Sequence, residues 1–430
     1  MSVSFFAEYA WVDGAMARDV HIEVAGGRFT AVTANAPATG IRLSGLVLPG
    51  LANAHSHAFH RALRGRTHGE RGSFWTWRNL MYAVAGRLDP DSYFALARAV
   101  YGEMALAGIT TVGEFHYLHH GPDGRRYDDP NAMGHAVIAA AGEAGIRITL
   151  LDTVYLTSSV DGQPLEGVQR RFGDGDVDGW SARTAALKPT PHARIGAALH
   201  SVRAVPAGQL GALAGAAPLH IHLSEQRAEN EQCRAVHGYT PTELLQQHGI
   251  LGPGTTAVHA THLTNSDIKA LGGSRTGVCL CPTTERDLAD GIGPARELAD
   301  AGVPLSLGSD SQAVIDLFEE ARGVELDERL ATERRGHFGA DELLAAATAH
   351  TALGWDDAGS IGVGNRADLV AVALDSVRTA GVDPAGAVFA ATAADVTDVV
   401  ADGRHIVAGG RHTGFDVAAA LRAALKEVTR

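Results

Sequence analysis

Long apolar runs are missing from this sequence. No stretch is long enough to span a bilayer, and the opening MSVSFFAEYAWVDG has neither the basic start nor the apolar run of a secretion signal. Cysteine is scarce, with only Cys233, Cys279 and Cys281. An odd, sparse set argues against a disulfide framework and fits a reducing compartment. Positive charge is also short: the formal net charge is −13. That excludes non-specific binding to nucleic acid or anionic membranes, which needs clustered basic residues. An anionic ligand would have to be held by a few local arginines. There is no Walker-type phosphate loop, no Gly-x-Ser-x-Gly elbow and no repeat of solenoid period. Gly362-Val-Gly364-Asn-Arg-Ala367 loosely matches a dinucleotide fingerprint, but it precedes a strand, so it reads as a turn. These absences leave a soluble, cytoplasmic globular protein whose 430 residues are enough for a large core.

The two ends of the chain look alike. VDG followed by VHIEVAGGRFTAV near the start is echoed by VVADGRHIVAGGRHT near the end. Both read as β-hairpins with glycine turns. Residues 1–49 and 357–430 are therefore expected to form one small β-sandwich domain. Between them, apolar runs alternate with Ala-rich stretches such as 92–108 and 133–145. The runs are 46–57, 109–115, 147–156, 194–202, 217–225, 255–263, 276–282 and 303–310. Alternating strands and helices imply a parallel sheet. Eight units over residues 50–356 predict a distorted (β/α)₈ TIM barrel, with its site at the carboxyl ends of the strands. Two connections are long. Residues 58–91 carry Trp75, Trp77 and Arg78, and residues 157–193 are rich in Gly, Asp and Pro. Both are candidate lids, the second equally a mobile surface loop.

With 21 histidines, position is what counts. His55 and His57 close the first strand, two residues apart and so on the same side. His222 falls at the end of the fifth strand, His259 of the sixth and Asp310 of the eighth. In a barrel all five face one point at its mouth. Neutral imidazoles with a carboxylate suit Zn²⁺ or another divalent ion. Taken singly, each histidine is more simply a buried or surface residue satisfied by a hydrogen bond.

HSH after strand 1, His after strands 5 and 6, and SD after strand 8 resemble the amidohydrolase superfamily, and the likeness covers nearly the whole chain. That resemblance implies hydrolysis by a metal-activated water on a distorted (β/α)₈ barrel flanked by a sandwich from both termini. Binuclear members often bridge their metals with a modified lysine after strand 4. Here that strand reads RIGAALHSVRAV, and the nearest lysine, Lys188, precedes it. One divalent metal is therefore expected, Zn²⁺ first and Fe²⁺ or Mn²⁺ as alternatives, held by His55, His57, His222 and Asp310. His259 would then orient water or stabilise charge. The His-x-x-Glu of mononuclear deaminases is matched by His222 and Glu225, which implies that Glu225 shuttles protons.

The motifs HSHAFHRAL, FWTWRNLMY, GEFHYLHH, LHSVRAV and CPTTERDLADGIGP resemble members that cleave a linear amidine. In these the formimino group of a dicarboxylate from histidine breakdown becomes formyl, and ammonia leaves. The likeness implies that Arg78, Tyr117, His200 and Arg203 contact the substrate, with arginines pairing its carboxylates. A homodimer is expected by the same analogy. The sequence departs from the pattern at His60 and Gln312, whose contacts stay open. Glu285 and Asp290 could touch the amidine or cap a turn, and Cys279 and Cys281 read as reduced structural thiols. Two alternatives remain. A deaminase of purine-like or guanidino compounds would need aromatic stacking at the mouth, and a non-catalytic scaffold would have lost metal ligands.

Overall fold

The computed structural model describes residues 2–67 and 74–429, without the side chains of residues 74–76. Four strands open the chain: β1 (Ser2–Val12), β2 (Ala15–Ala25), β3 (Arg28–Thr33) and β4 (Ile41–Pro49). Eight more follow: β5 (Leu51–Ser56), β6 (Ile109–His116), β7 (Arg147–Val154), β8 (Ala193–Leu199), β9 (Leu219–Leu223), β10 (Thr255–His259), β11 (Gly277–Leu280) and β12 (Leu305–Leu307). The last four are β13 (Leu369–Val372), β14 (Val396–Ala401), β15 (Arg404–Ala408) and β16 (Arg411–His412).

Strands β5 to β12 pair side by side in chain order, all parallel, which is the barrel. The seam between β12 and β5 is closed by Asp310. Its amide donates to the His55 carbonyl at 3.0 Å, and the His57 amide donates to the Asp310 carbonyl at 3.2 Å. Every residue of β6 and β7 is buried, as expected for parallel strands covered on both faces. The other strands form a second sheet in the order β16-β15-β14-β13-β4-β1-β2-β3, drawn from both termini. It is the small sandwich domain expected from the matching ends. Asp13-Gly14, Gly26-Gly27, Asp402-Gly403 and Gly409-Gly410 link its hairpins, and φ is positive at all eight residues. That is the backbone of the two-residue primed turn, which matches the strand twist.

The run 46–57, expected as one strand, is two. Pro49 ends β4 in the terminal sheet, and β5 starts the barrel at Leu51. Gly50 makes the switch possible: a Cβ there would lie 2.3 Å from the Thr110 hydroxyl and 2.8 Å from Asp368. The helix-favouring stretches form as expected. Asp89 and Ser92 make a reciprocal cap for the helix Pro90–Leu106, and Gly145 ends Ala132–Ala144 in the left-handed region at φ 79°.

The segment 157–193 is a pinned insert. Buried Arg183 bonds Asp152 at 2.7 and 3.0 Å, Asp174 at 3.0 Å and the Asn131 side chain at 3.0 Å. Buried Arg171 donates to the carbonyls of Ala85, Leu88 and His120. These bonds seat Phe172 against Tyr117 and Tyr155.

At the opposite end of the barrel, Arg147 fastens β7 to the terminal sheet. It is 1% exposed and pairs Asp368, 2% exposed, and Asp402, while donating to the Thr111 hydroxyl at 2.9 Å. Removing one partner of a buried pair leaves the other charge uncompensated. Arg147→Ala is expected to destabilise the chain by about 3–5 kcal/mol, read as a lower midpoint in chemical denaturation. Asp402→Asn, at a partly exposed carboxylate, should cost far less.

Candidate metal centre and active site

The imidazoles of His55, His57 and His222 converge where β5 and β9 end, all deeply buried. His57 Nδ1 lies 2.9 Å from the Phe115 carbonyl and His222 Nδ1 lies 2.8 Å from the His200 carbonyl. A carbonyl only accepts, so both Nδ1 atoms carry the proton and both Nε2 atoms present lone pairs. Burial lowers the pKa of His55, His57 and His222, keeping the rings neutral. His55 Nε2 stands 3.2 Å from His222 Nε2 and 3.3 Å from Asp310 Oδ1, which is 3.4 Å from His57 Nε2. Ligands of a tetrahedral ion with bonds of 2.0–2.1 Å sit about 3.4 Å apart. Lone pairs crowded to that separation in a buried site suit a divalent cation, and these residues fit one.

Asp310 is buried, which opposes ionisation, but His55, His259 and His57 hold its carboxyl far below the ordinary range. The backbone here is strained. Ser224, His259, Ala260, Asp310 and Gln312 all have positive φ without being glycine, and such strain gathers where side chains must be aimed.

A network beneath the cluster, beyond the reach of sequence reading, holds it. Glu114, at the end of β6, accepts from the Ala58 amide at 2.7 Å, the Ser56 hydroxyl at 2.9 Å and the Tyr93 hydroxyl at 3.3 Å. Burial pushes its pKa up to about 7. Gln312, whose contacts were open, donates to the Ser56 hydroxyl at 2.9 Å and accepts from Ser309 at 2.8 Å. Asn53 bonds Ser309 through the hydroxyl at 2.6 Å and the amide at 2.9 Å. The barrel seam and the His-x-His turn are thus tied to one another. His60 Nε2 contacts the Tyr117 hydroxyl at 2.9 Å, and its ring meets Trp77 edge-on at 5.1 Å.

Around the cluster lie the groups expected to move protons. His259 Nε2 is 3.7 Å from Asp310 Oδ2 and 3.8 Å from Glu225 Oε1, and its Nδ1 is 3.3 Å from Glu285 Oε1. Burial disfavours its cation, but Glu225, Glu285 and Asp310 together raise its pKa well above that of a free imidazole. Glu285 therefore faces His259, and it also accepts from the Cys281 amide at 2.9 Å. Asp290 accepts from the Gln226 side chain, and burial, then the Glu225 charge, push it up to about 9. All three cysteines are free and buried. Cys281 reaches toward His259 and Asp310, nearer the centre than the sequence suggested. Burial raises its thiol well above the ordinary range, so it stays protonated. A separate group of His116, His119 and Asp152 also has ligand spacing, but the Arg183 guanidinium already occupies Asp152.

Above the cluster opens a pocket. It gathers His57, His222, Asp310, Glu225, His259, Arg78, Tyr117, His200 and Arg203. Of the expected site residues only His55 lies beneath the floor. Arg203 Nη2 is 3.7 Å from Glu225 Oε2, and the Arg78 guanidinium lies 5.5 Å from the centre of the Tyr82 ring. Trp77, expected in the first lid, joins Tyr117 in the walls, and Tyr82, Tyr155 and Phe172 add aromatic surface that the sequence did not indicate. The Trp75 side chain lies outside the described residues. Lys188 is exposed and bonds the Ala185 carbonyl at 3.0 Å, so it takes no part.

The barrel, its terminal sandwich and this cluster define a metal-dependent hydrolase acting on C–N bonds. The chain belongs to the amidohydrolase family, matching it over residues 46–406. It is 36% identical over 436 residues to the formimidoylglutamate deiminase of Pseudomonas aeruginosa, with 96% of each chain covered. It is also 30% identical to the 8-oxoguanine deaminase of the same species, covering 87% of this chain and 85% of that one. Among solved structures, an amidohydrolase from Brucella melitensis superposes with a TM-score of 0.90 at 32% identity over the full length of both. An atrazine chlorohydrolase from Arthrobacter aurescens, solved with zinc, shares the fold at a TM-score of 0.86 and 24% identity, covering 99% of this chain and 100% of that one.

Glu114 touches the turn carrying His55 and His57 without joining the cluster. Loss of such a supporting partner typically weakens metal affinity about 10–100-fold. That loss is expected for Glu114→Ala in competition with a chelating dye, whereas Glu342→Ala, at an exposed ion pair with Arg296, should leave affinity unchanged.

Proposed function

We infer that this chain hydrolyses the formimino group of N-formimino-L-glutamate, giving N-formyl-L-glutamate and ammonia, a step of histidine degradation. The observation that carries the reading is the pair of arginines. In a chain of net charge −13, Arg78 and Arg203 open on the same pocket as the His/Asp cluster. A dicarboxylate needs two such cations, and guanidinium forks match carboxylates. The likeness to the Pseudomonas aeruginosa enzyme supports the same substrate. We assign catalysis to residues 50–356 and the sandwich to 1–49 with 357–430, in a cytoplasmic homodimer.

His55, His57, His222 and Asp310 would hold one metal, Zn²⁺ first, since Fe²⁺ and Mn²⁺ accept the same donors. When bound, the cation lowers the pKa of water toward about 7. Arg203 and Arg78 bind the two carboxylates and so fix which carbon faces the cluster. Tyr117 and His200 line the path between them. Asp310 and His259 orient the attacking water, and Glu225 takes its proton. Oxygen adds to the amidine carbon. His259 stabilises the charge that develops on that oxygen. Glu225 then hands the proton to the unsubstituted nitrogen of the amidinium group, the C–N bond breaks and ammonia leaves, while the second proton of the water passes from the hydroxyl to Glu225 as the formyl carbonyl forms. The aromatic walls, with the likeness to 8-oxoguanine deaminase, favour a second reading: deamination of a stacked purine-like compound.

Metal-loaded protein mixed with N-formimino-L-glutamate should release ammonia and N-formyl-L-glutamate in equal amounts. Formamide with glutamate would mean the other C–N bond is cut, and turnover of 8-oxoguanine in preference would establish the second reading. Glu225→Gln should lower kcat by about 10²–10⁴-fold with metal content unchanged. Arg203→Ala should chiefly raise KM.

A further inference from the structure

We propose that Glu229 is a positioning residue that holds the Arg203 guanidinium open to a substrate carboxylate. The inference rests on the reading of Arg203 as a carboxylate-binding group. Glu229 lies in the first turn of the helix Arg227–His237. An acidic residue in that place ordinarily stays at the surface and favours the free amides of the helix. Glu229 does not stay at the surface. Its side chain is 0% exposed, and its carboxylate faces the Glu225 amide without a well-formed hydrogen bond. Cys233 is the one other buried residue of this helix. A carboxylate taken wholly out of water is costly unless a charge faces it.

Arg203 supplies that charge. Its Nε lies 3.9 Å from Glu229 Oε2 and has no hydrogen-bond partner of its own among the described residues, while its Nη2 lies 3.7 Å from Glu225 Oε2. Both separations are those of ion pairs, too long for direct hydrogen bonds. The guanidinium is thus suspended between two carboxyl groups; burial pushes that of Glu229 up to about 7, and the Arg203 charge favours its ionised form. It carries five N–H donors and lines the pocket, which Glu229 does not reach. Without Glu229 its nearest anion would be Glu225 alone. The unbalanced attraction would draw Arg203 onto the group that carries the proton, away from the position a substrate carboxylate needs. Glu229 balances that pull from the opposite edge, so it acts through Arg203 and touches no reacting atom.

A double-mutant cycle tests this. The zinc-loaded wild type, Glu229→Gln, Arg203→Ala and the double variant are assayed with N-formimino-L-glutamate, alongside metal content and melting temperature. Glu229→Gln is expected to raise KM about 10-fold or more, as when a charge-assisted hydrogen bond to the substrate is broken, with a smaller fall in kcat. Added to Arg203→Ala it should change KM by less than about twofold, because its route is already cut. Glu229→Asp, which keeps the charge but shortens the reach, should recover part of the loss. It replaces Glu229→Gln in the cycle if that variant does not fold. An unchanged KM in Glu229→Gln, or effects that multiply in the double variant, would overturn the proposal while leaving the function intact. A wild type that does not turn over this substrate would overturn the functional reading and the proposal with it.

Discussion

One crowded point governs this molecule: the seam where the last barrel strand meets the first. Asp310 closes the sheet through its backbone and aims its carboxylate at the rings of His55 and His57. Fold and site are therefore the same event. The barrel cannot close without bringing the carboxylate to the imidazoles. His57 and His222 turn the lone pairs of their Nε2 atoms toward His55 and the Asp310 carboxylate at short separations, which is the physical case for a cation. The strained residues at these strand ends and the Asn53–Ser309–Gln312–Ser56–Glu114 network hold that geometry fixed.

Charge is used sparingly around this point. Arg147, Arg171 and Arg183 are buried as struts, joining barrel to sandwich and insert to barrel. Arg78 and Arg203 instead open on the pocket. The same side chain thus serves two ends. The guanidinium groups of Arg147, Arg171 and Arg183 bond carboxylates, carbonyls and a hydroxyl of the fold. That of Arg203 is held at ion-pair distance from its carboxylates and faces the pocket.

Much of the site was legible because strand periodicity and ligand chemistry are both local. His-x-His at the end of an apolar run places two rings on one side, and apolar runs alternating with helical stretches fix which strand each residue ends. The network was not legible, because its members are ordinary polar residues far apart in sequence. Asn53 and Ser309, 256 positions apart, carry no motif. Glu229 was hidden for another reason. In RAENEQCRAVH it reads as one more solvated charge, and only its burial against Arg203 distinguishes it. The aromatic walls were equally silent, since Tyr155 and Phe172 read as core residues until the insert is seen pinned behind them.

The order of strands and helices, the two-ended sandwich and the net acidic charge follow from the sequence alone, through spacing of two or 3.6 residues, turn chemistry and composition. The groups at the barrel mouth followed from histidines and an aspartate at strand ends, together with the family resemblance. Only the tertiary structure decided where Gly50 splits one apolar run between two sheets, which carboxylates face His259, and which arginines are spent inside the molecule. Those outcomes depend on close packing and on the cost of burying charge, and both arise only when distant segments meet.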